Sequence, residues 1–198
     1  YGERWREAFT GMADGVLVGE PGVDSSAVAA DARYIRAKRK EAWFSLPAPH
    51  MLGFRDAYIG DEEEFAGVIA AGYARLARDM RDLGVRGHIL VAERADEAEL
   101  ERLAGNRILF FPRDPGRFDL DLLLEYQDAL ILPAGDIDQA ADIMERFRVR
   151  RLILLDPDDL SVATRLVDPD MLEVGGYCSG EGCPDYWESL VGRAFISR

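Results

Sequence analysis

Five continuously apolar runs constrain the fold of this chain more than any other feature. They start at Gly87 (GHILVAE), Arg107 (RILFFP), Asp128 (DALILPAG), Arg151 (RLILLDP) and Met171 (MLEVGGY), about 20 residues apart, the length of a compact strand-plus-helix unit. A strand that alternates apolar and polar residues keeps one face in water. A strand that is apolar throughout is covered on both faces, as in a parallel sheet. Short helical patterns separate the runs, over residues 96–104, 120–126, 137–147 and 160–167. A leucine-rich repeat has a similar period, but its asparagine-bearing consensus is absent and the intervals here are uneven.

The same logic holds upstream, where residues 41–93 read as strand, long helix, strand. The run Ala42-Trp43-Phe44-Ser45-Leu46 ends in the breaker Pro47-Ala48-Pro49-His50. The helix after it carries Phe65, Val68, Ile69, Tyr73, Leu76, Met80 and Leu83 at the 3.6-residue period. Asp61 and Glu64 fit a capping box, and Gly84 suits the left-handed position that ends a helix. Nearer the start, residues 1–11 have a short helical pattern, and residues 15–20 (GVLVGE) read as a strand stopped by Pro21-Gly22. Asp24 or Ser25 suits the N-cap of the next helix, whose Arg33, Arg36, Lys38, Arg39 and Lys40 read as a solvated helix end.

Two upstream strands and five later ones make seven, each followed by a helix or turn. Two architectures fit: a (βα)-barrel lacking its first strand in this chain, or an open doubly wound parallel sheet. Neither a Gly-x-Gly-x-x-Gly turn nor a Walker-type Gly-Lys-Ser/Thr is present, so the usual nucleotide fingerprints of an open sheet are missing. A length of 198 residues suits a single α/β domain over residues 1–198.

The net charge of −13 argues against binding nucleic acid or docking on an anionic membrane, both of which need a cationic surplus. It is compatible with a cationic or neutral small ligand. No apolar run approaches a membrane span and no signal peptide is visible, so the expected location is cytoplasmic. The chain opens on Tyr1 rather than Met, as a fragment would.

In a parallel α/β protein the ligand site forms at the carboxyl ends of the strands. That rule nominates Glu20, His50, Glu93, Arg113, Asp136, Asp156 and the Cys178 loop, with Asp114 and Asp158 beside them. His50, Glu93 and Cys178 are the candidates for chemistry, as base or ligand, carboxylate and nucleophile. Glu20, Arg113, Asp136 and Asp156 are candidates for substrate binding. His88 begins its strand at the opposite face and is excluded. Cys178 and Cys183 stand close together in a glycine-rich loop, and three states stay open for them: free thiols, a disulfide, or half of a zinc site completed by His50 and a carboxylate.

Leu46-Pro47-Ala48-Pro49-His50-Met51-Leu52 resembles the Leu-Pro-Gly/Ser-Pro-x-Thr-Leu turn of the cobalamin-independent methionine synthase barrels. Residues 73–84 resemble the helix before that family's Ile-Gln-Ile-Asp-Glu-Pro strand, which here reads Ile89-Leu90-Val91-Ala92-Glu93-Arg94 and places Glu93 at the family's Glu. Residues 11–20 are similar to a strand region of the related uroporphyrinogen decarboxylase-like barrels. Residues 107–112, where the family's zinc-binding His-x-Cys pair would follow, contain neither residue, and Cys178 stands alone in the place of the last zinc cysteine. The resemblance implies a barrel scaffold with a substrate pocket at its C-terminal face. The function expected is a small-molecule-binding barrel of methyltransferase- or decarboxylase-like type, or a non-catalytic binder of a ligand or partner that has lost the parent site. Glu93 salt-bridged to Arg94 or Arg113 would mark the second case.

Overall fold

The computed structural model describes residues 2–178 and 182–194. The fold is α/β, and the chain divides into two compact units, Tyr1–Gln127 and Asp128–Arg198.

The first unit opens with α1 (Gly2–Glu7), which buries Trp5. The helical pattern expected over residues 1–11 stops there, because Phe9 begins a hairpin: β1 (Phe9–Ala13) pairs antiparallel with β2 (Val16–Val23). The turn is Asp14-Gly15, with φ of 51° and 76°. Two positive φ angles give the mirror-image turn that matches strand twist, and Asp-Gly is a preferred sequence for it. β2 also runs past the stop expected at Pro21-Gly22. The register shifts between Thr10 and Met12, so Pro21 falls in an irregular stretch where a missing N–H costs no ladder bond. A two-residue strand, β4 (Arg55–Asp56), pairs parallel with β2.

α2 (Ser26–Lys38) buries the expected face of Val28, Ala29 and Ala32, and the Asp24 carboxylate accepts the Ser26 N–H at 2.9 Å. β3 (Trp43–Pro47), β5 (Gly87–Ala92) and β6 (Ile108–Pro112) form a parallel sheet in that order. β6 is buried at every position, as its uninterrupted apolar run requires. Its outer backbone edge is closed by a side chain: the Gln127 amide accepts from Phe110 N–H at 2.8 Å and donates to Phe110 C=O at 3.2 Å.

α3 (Glu62–Asp82) is the long helix expected from the apolar period. The Asp61 carboxylate accepts the Glu64 N–H at 2.8 Å, and Glu62, Glu63 and Glu64 place negative charge at the positive end of the helix dipole. Ile69, Tyr73, Leu76 and Met80 are buried, each worth about 1.5–3 kcal/mol relative to exposure. Gly84, at φ 98°, follows the helix end. α4 (Glu97–Leu103) and α5 (Leu120–Tyr126) complete the unit, each begun by an aspartate that accepts the N–H three residues on, Asp96 from Glu99 and Asp119 from Leu122.

The second unit holds another parallel sheet, β7 (Ala129–Pro133), β8 (Arg151–Leu155) and β9 (Leu172–Gly175), again in chain order. Arg151 binds both oxygens of Glu173 across β8 and β9, at 2.7 Å each. α6 (Ile137–Arg146) follows β7, and α7 (Ala163–Leu166) is shorter than the helix expected over residues 160–167. From the second cysteine of the glycine-rich loop onward the chain forms a helix, α8 (Cys183–Arg193). Pro184 sits in its first turn, where a missing N–H is harmless.

Among the described residues nine strands thus replace the seven expected, β1 and β4 being the additions. They form three three-stranded sheets, and no closed barrel is found among the described residues.

Candidate functional site

The carboxyl ends of β3 and β5 carry the best-defined polar cluster in the first unit. Beyond β3 the chain makes a 3-10 turn, Pro49–Leu52, that projects His50. The Tyr73 hydroxyl donates to the Pro47 carbonyl, fastening α3 to the end of β3. Burial, and then the charge of Glu99, push the Tyr73 hydroxyl well above its usual range, so it stays a donor.

His50 is held from three sides. Its backbone N–H donates to Glu99 Oε1 at 2.6 Å, and its Nδ1 lies 2.9 Å from Glu99 Oε2. Its Nε2 accepts the Glu93 backbone N–H at 3.3 Å. An Nε2 that accepts must be unprotonated, so the neutral ring carries its hydrogen on Nδ1 and donates it to Glu99. The two side chains are only 5% and 6% exposed. Glu99 lies in the first turn of α4, whose N-cap Asp96 also pairs with Arg94 Nη2 at 3.3 Å. Beside the pair is a cavity of about 220 Å³, lined by His50, Glu62, Arg94, Asp96 and Glu99 with an apolar wall that includes Phe65 and Ala66.

The other nominated residues fall elsewhere. The Glu93 side chain does not line the cavity; it pairs with Arg113 at 2.7 Å, both groups half-exposed. Glu20 does not end a strand; it lies exposed within β2 because the strand continues to Val23. In the second unit, Asp136 closes a 3-10 turn after β7 without capping α6 through its side chain. Asp156 follows β8 and accepts the Tyr186 hydroxyl at 2.5 Å, and Asp158 pairs with Arg193 at 2.9 Å.

Cys178 and Cys183 form a disulfide. This corrects the expectations of a nucleophilic Cys178 and of a zinc half-site at Cys178 and Cys183. A sulfur bonded to sulfur has no thiolate with which to attack or to bind zinc. Among the described residues no group of three or more His, Cys, Asp or Glu side chains is placed to hold a metal ion. The zinc implied by the resemblance therefore does not fit the residues in this state. His88, near the start of β5, is fully buried, and neither ring nitrogen has a hydrogen-bond partner among the described residues. Burial, reinforced by the charge of Arg81, pushes its pKa down to about 4.

Glu99 is the residue that sequence reasoning missed. Its signal was present: Asp96-Glu97-Ala98-Glu99 is a helix start, and Glu99 lies four residues before Leu103 on the face that α4 buries. A carboxylate on a buried helical face needs a partner, and His50 is that partner. No helix among the described residues is long and apolar enough to cross a membrane.

No family model matches the chain. No curated protein matches it either. Thirteen solved chains do match. One carries the description "Putative Vitamin-B12 Independent Methionine Synthase from Listeria monocytogenes", with a TM-score of 0.55 and 14% identity over 96% of this chain and 76% of that one. At that identity the likeness concerns the fold alone, and it is to an α/β protein of the type that the Leu46–Leu52 turn resembles.

Proposed function

We propose that this chain is a small-molecule-binding α/β protein on a barrel-type scaffold, with its ligand at the carboxyl ends of β3 and β5. The observation that carries the reading is the cavity beside the His50–Glu99 pair, on the side of the sheet where parallel α/β proteins place ligands. The barrel-type scaffold is supported by strand order. Both parallel sheets follow the chain without reversing, β3-β5-β6 and β7-β8-β9, whereas a doubly wound sheet reverses at a switch point.

The lining has three carboxylates, Glu62, Asp96 and Glu99, against one guanidinium, Arg94. With His50 neutral, the net charge is −3 + 1 = −2, which favours a ligand bearing an amine or another cationic group. At about 220 Å³ the cavity suits a small molecule. The proposal is binding without catalysis, because every residue nominated for chemistry already has a partner. His50 is shared between Glu99 and the Glu93 N–H, Glu93 pairs with Arg113, and Cys178 is in a disulfide.

One observation favours the second reading, a methyltransferase- or decarboxylase-like enzyme. A histidine oriented through Nδ1 by a carboxylate, with Nε2 in its acceptor form, is the arrangement of a positioned general base. The test is a thermal-shift titration with small amines, from methylammonium to putrescine, beside size-matched carboxylates. Amines should raise the melting temperature, and Ala66→Phe, which fills the cavity, should abolish the rise. An equal response to both panels, or an Ala66→Phe variant that responds like the wild type, would refute the site.

A further inference from the structure

The second unit holds a reactive group that the ligand reading leaves unused. Cys178 lies just past β9, and Cys183 is the first residue of α8. Their disulfide spans a sequence separation of 5, and both residues are half-buried rather than enclosed in the core. Among the described residues α8 buries little of its own surface. Leu190 is its one buried residue, while Trp187 and Val191 are exposed. Tyr186 donates to Asp156, and Arg193 donates to Asp158. Those aspartates follow β8 at its carboxyl end, and Asp156 is held at φ 51°, in the left-handed region. Burial and the Asp156 bond push the Tyr186 hydroxyl up to about 12, so it remains a donor at neutral pH. Docked α8 therefore occupies the Asp156 carboxylate with its own tyrosine.

We propose that Cys178–Cys183 is a thiol–disulfide exchange site that governs whether α8 is docked on Asp156, and that its reaction partner is a dithiol reductant. One thiolate of the reductant attacks Sγ of Cys178. The S–S bond breaks and its electron pair leaves on Sγ of Cys183. Cys183 is the better leaving group, because the N-terminus of an 11-residue helix favours a thiolate. The reductant's second thiolate then cuts the mixed disulfide on Cys178. Two electrons and two protons pass to the cysteines, and the reductant departs as its own disulfide. A disulfide-bearing oxidant reverses the sequence. Cutting the bond frees the first residue of α8 from its tie to the segment after β9, a restraint on the undocked chain worth roughly 40-fold for a loop this short.

The test uses the full chain. After incubation with dithiothreitol at neutral pH, alkylation is counted by intact mass, and amide exchange is followed on peptides covering α8 and β8. The expected result is two added alkyl groups with unchanged far-ultraviolet circular dichroism, and faster exchange in α8, by roughly 10- to 40-fold, with none in β8. Cys178→Ser combined with Cys183→Ser should show the same α8 exchange without reductant. Cysteines that alkylate only in denaturant, or α8 exchange that ignores both reduction and the double substitution, would overturn the proposal.

Discussion

Glu99→Ala should be among the most damaging single changes in the first unit. The substitution removes the acceptor for two donors at once, the His50 N–H at 2.6 Å and Nδ1 at 2.9 Å. Both side chains are almost completely buried, so water cannot replace the lost oxygens without opening the site. A hydrogen bond to a charged acceptor is worth about 1.5–3 kcal/mol, and an orphaned buried donor bears its full desolvation cost. Two such bonds give a loss of about 3–6 kcal/mol, overlapping the range for breaking a buried polar pair. At this chain length that is a fall in melting temperature of roughly 10 °C. Glu99→Gln keeps the shape and one acceptor oxygen, and should cost about half as much. The assay is thermal unfolding followed by circular dichroism, with His50→Ala and the double variant completing a cycle. The coupling energy should exceed about 1 kcal/mol. A Glu99→Ala variant within about 1 kcal/mol of the wild type, or a cycle with no coupling, would mean that the pair does not hold the β3 and β5 ends together.

Three further outcomes follow from the same structure. The unfolded chain protonates His88 near 6.5 and the folded chain only near 4, so stability is fully present above pH 6.5 and falls as pH drops toward 4, by about 3 kcal/mol in all; His88→Leu should flatten that part of a stability-versus-pH curve, and an unchanged slope would contradict it. A Cβ at Gly72 would lie 2.5 Å from the Phe9 ring and 3.1 Å from Val23 Cγ1, so Gly72→Ala should cost about 1–3 kcal/mol by forcing the β1–β2 hairpin off α3, with denaturant midpoints as the readout. Glu93→Ala removes a half-exposed ion pair with Arg113 and should change stability by less than about 1 kcal/mol, an effect that salt erases; a larger loss would place the Glu93 side chain in the buried cluster.

The apolar runs located the interior strands because burial on both faces leaves no alternative pattern, as in the fully buried β6. α3 was legible from end to end, since its period, acidic first turn and terminal glycine agree. The amino-terminal hairpin was not, although Asp14-Gly15 signals it: Trp5, Ala8 and Phe9 also satisfy a helical spacing, and tertiary pairing decides for a strand from Phe9. Strand-end reasoning put His50 just past the end of β3, where it lies, but could not tell that Glu93 offers His50 its backbone N–H and sends its carboxylate to Arg113. That choice depends on side-chain direction at the first residue past a strand, which no periodicity records. Glu99 was hidden for a related reason, since an acidic residue near a helix start ordinarily serves the helix dipole. The cysteines were legible as a pair but not as a bonded one, because spacing permits all three of their states.

For the ligand site proposed above, the difference between a binder and an enzyme would rest on one hydrogen bond. A general base needs a lone pair free at the place where substrate sits. In His50 that lone pair is on Nε2, and it is engaged by the Glu93 N–H at 3.3 Å, the longest of the three bonds that hold the residue. Giving up a hydrogen bond of this kind costs about 1 kcal/mol, a small part of the free energy of binding even a micromolar ligand. Glu99 would keep the ring oriented meanwhile, because its two bonds do not involve Nε2. A ligand whose own acceptor captures the Glu93 N–H would thus release a positioned, neutral imidazole nitrogen. A ligand that leaves that N–H in place would be bound without proton transfer. The residue that separates the two outcomes is therefore Glu93, through its backbone, and the segment that sets its position runs from the end of β5 to the Asp96 cap of α4, where Arg94 and Asp96 already meet the cavity.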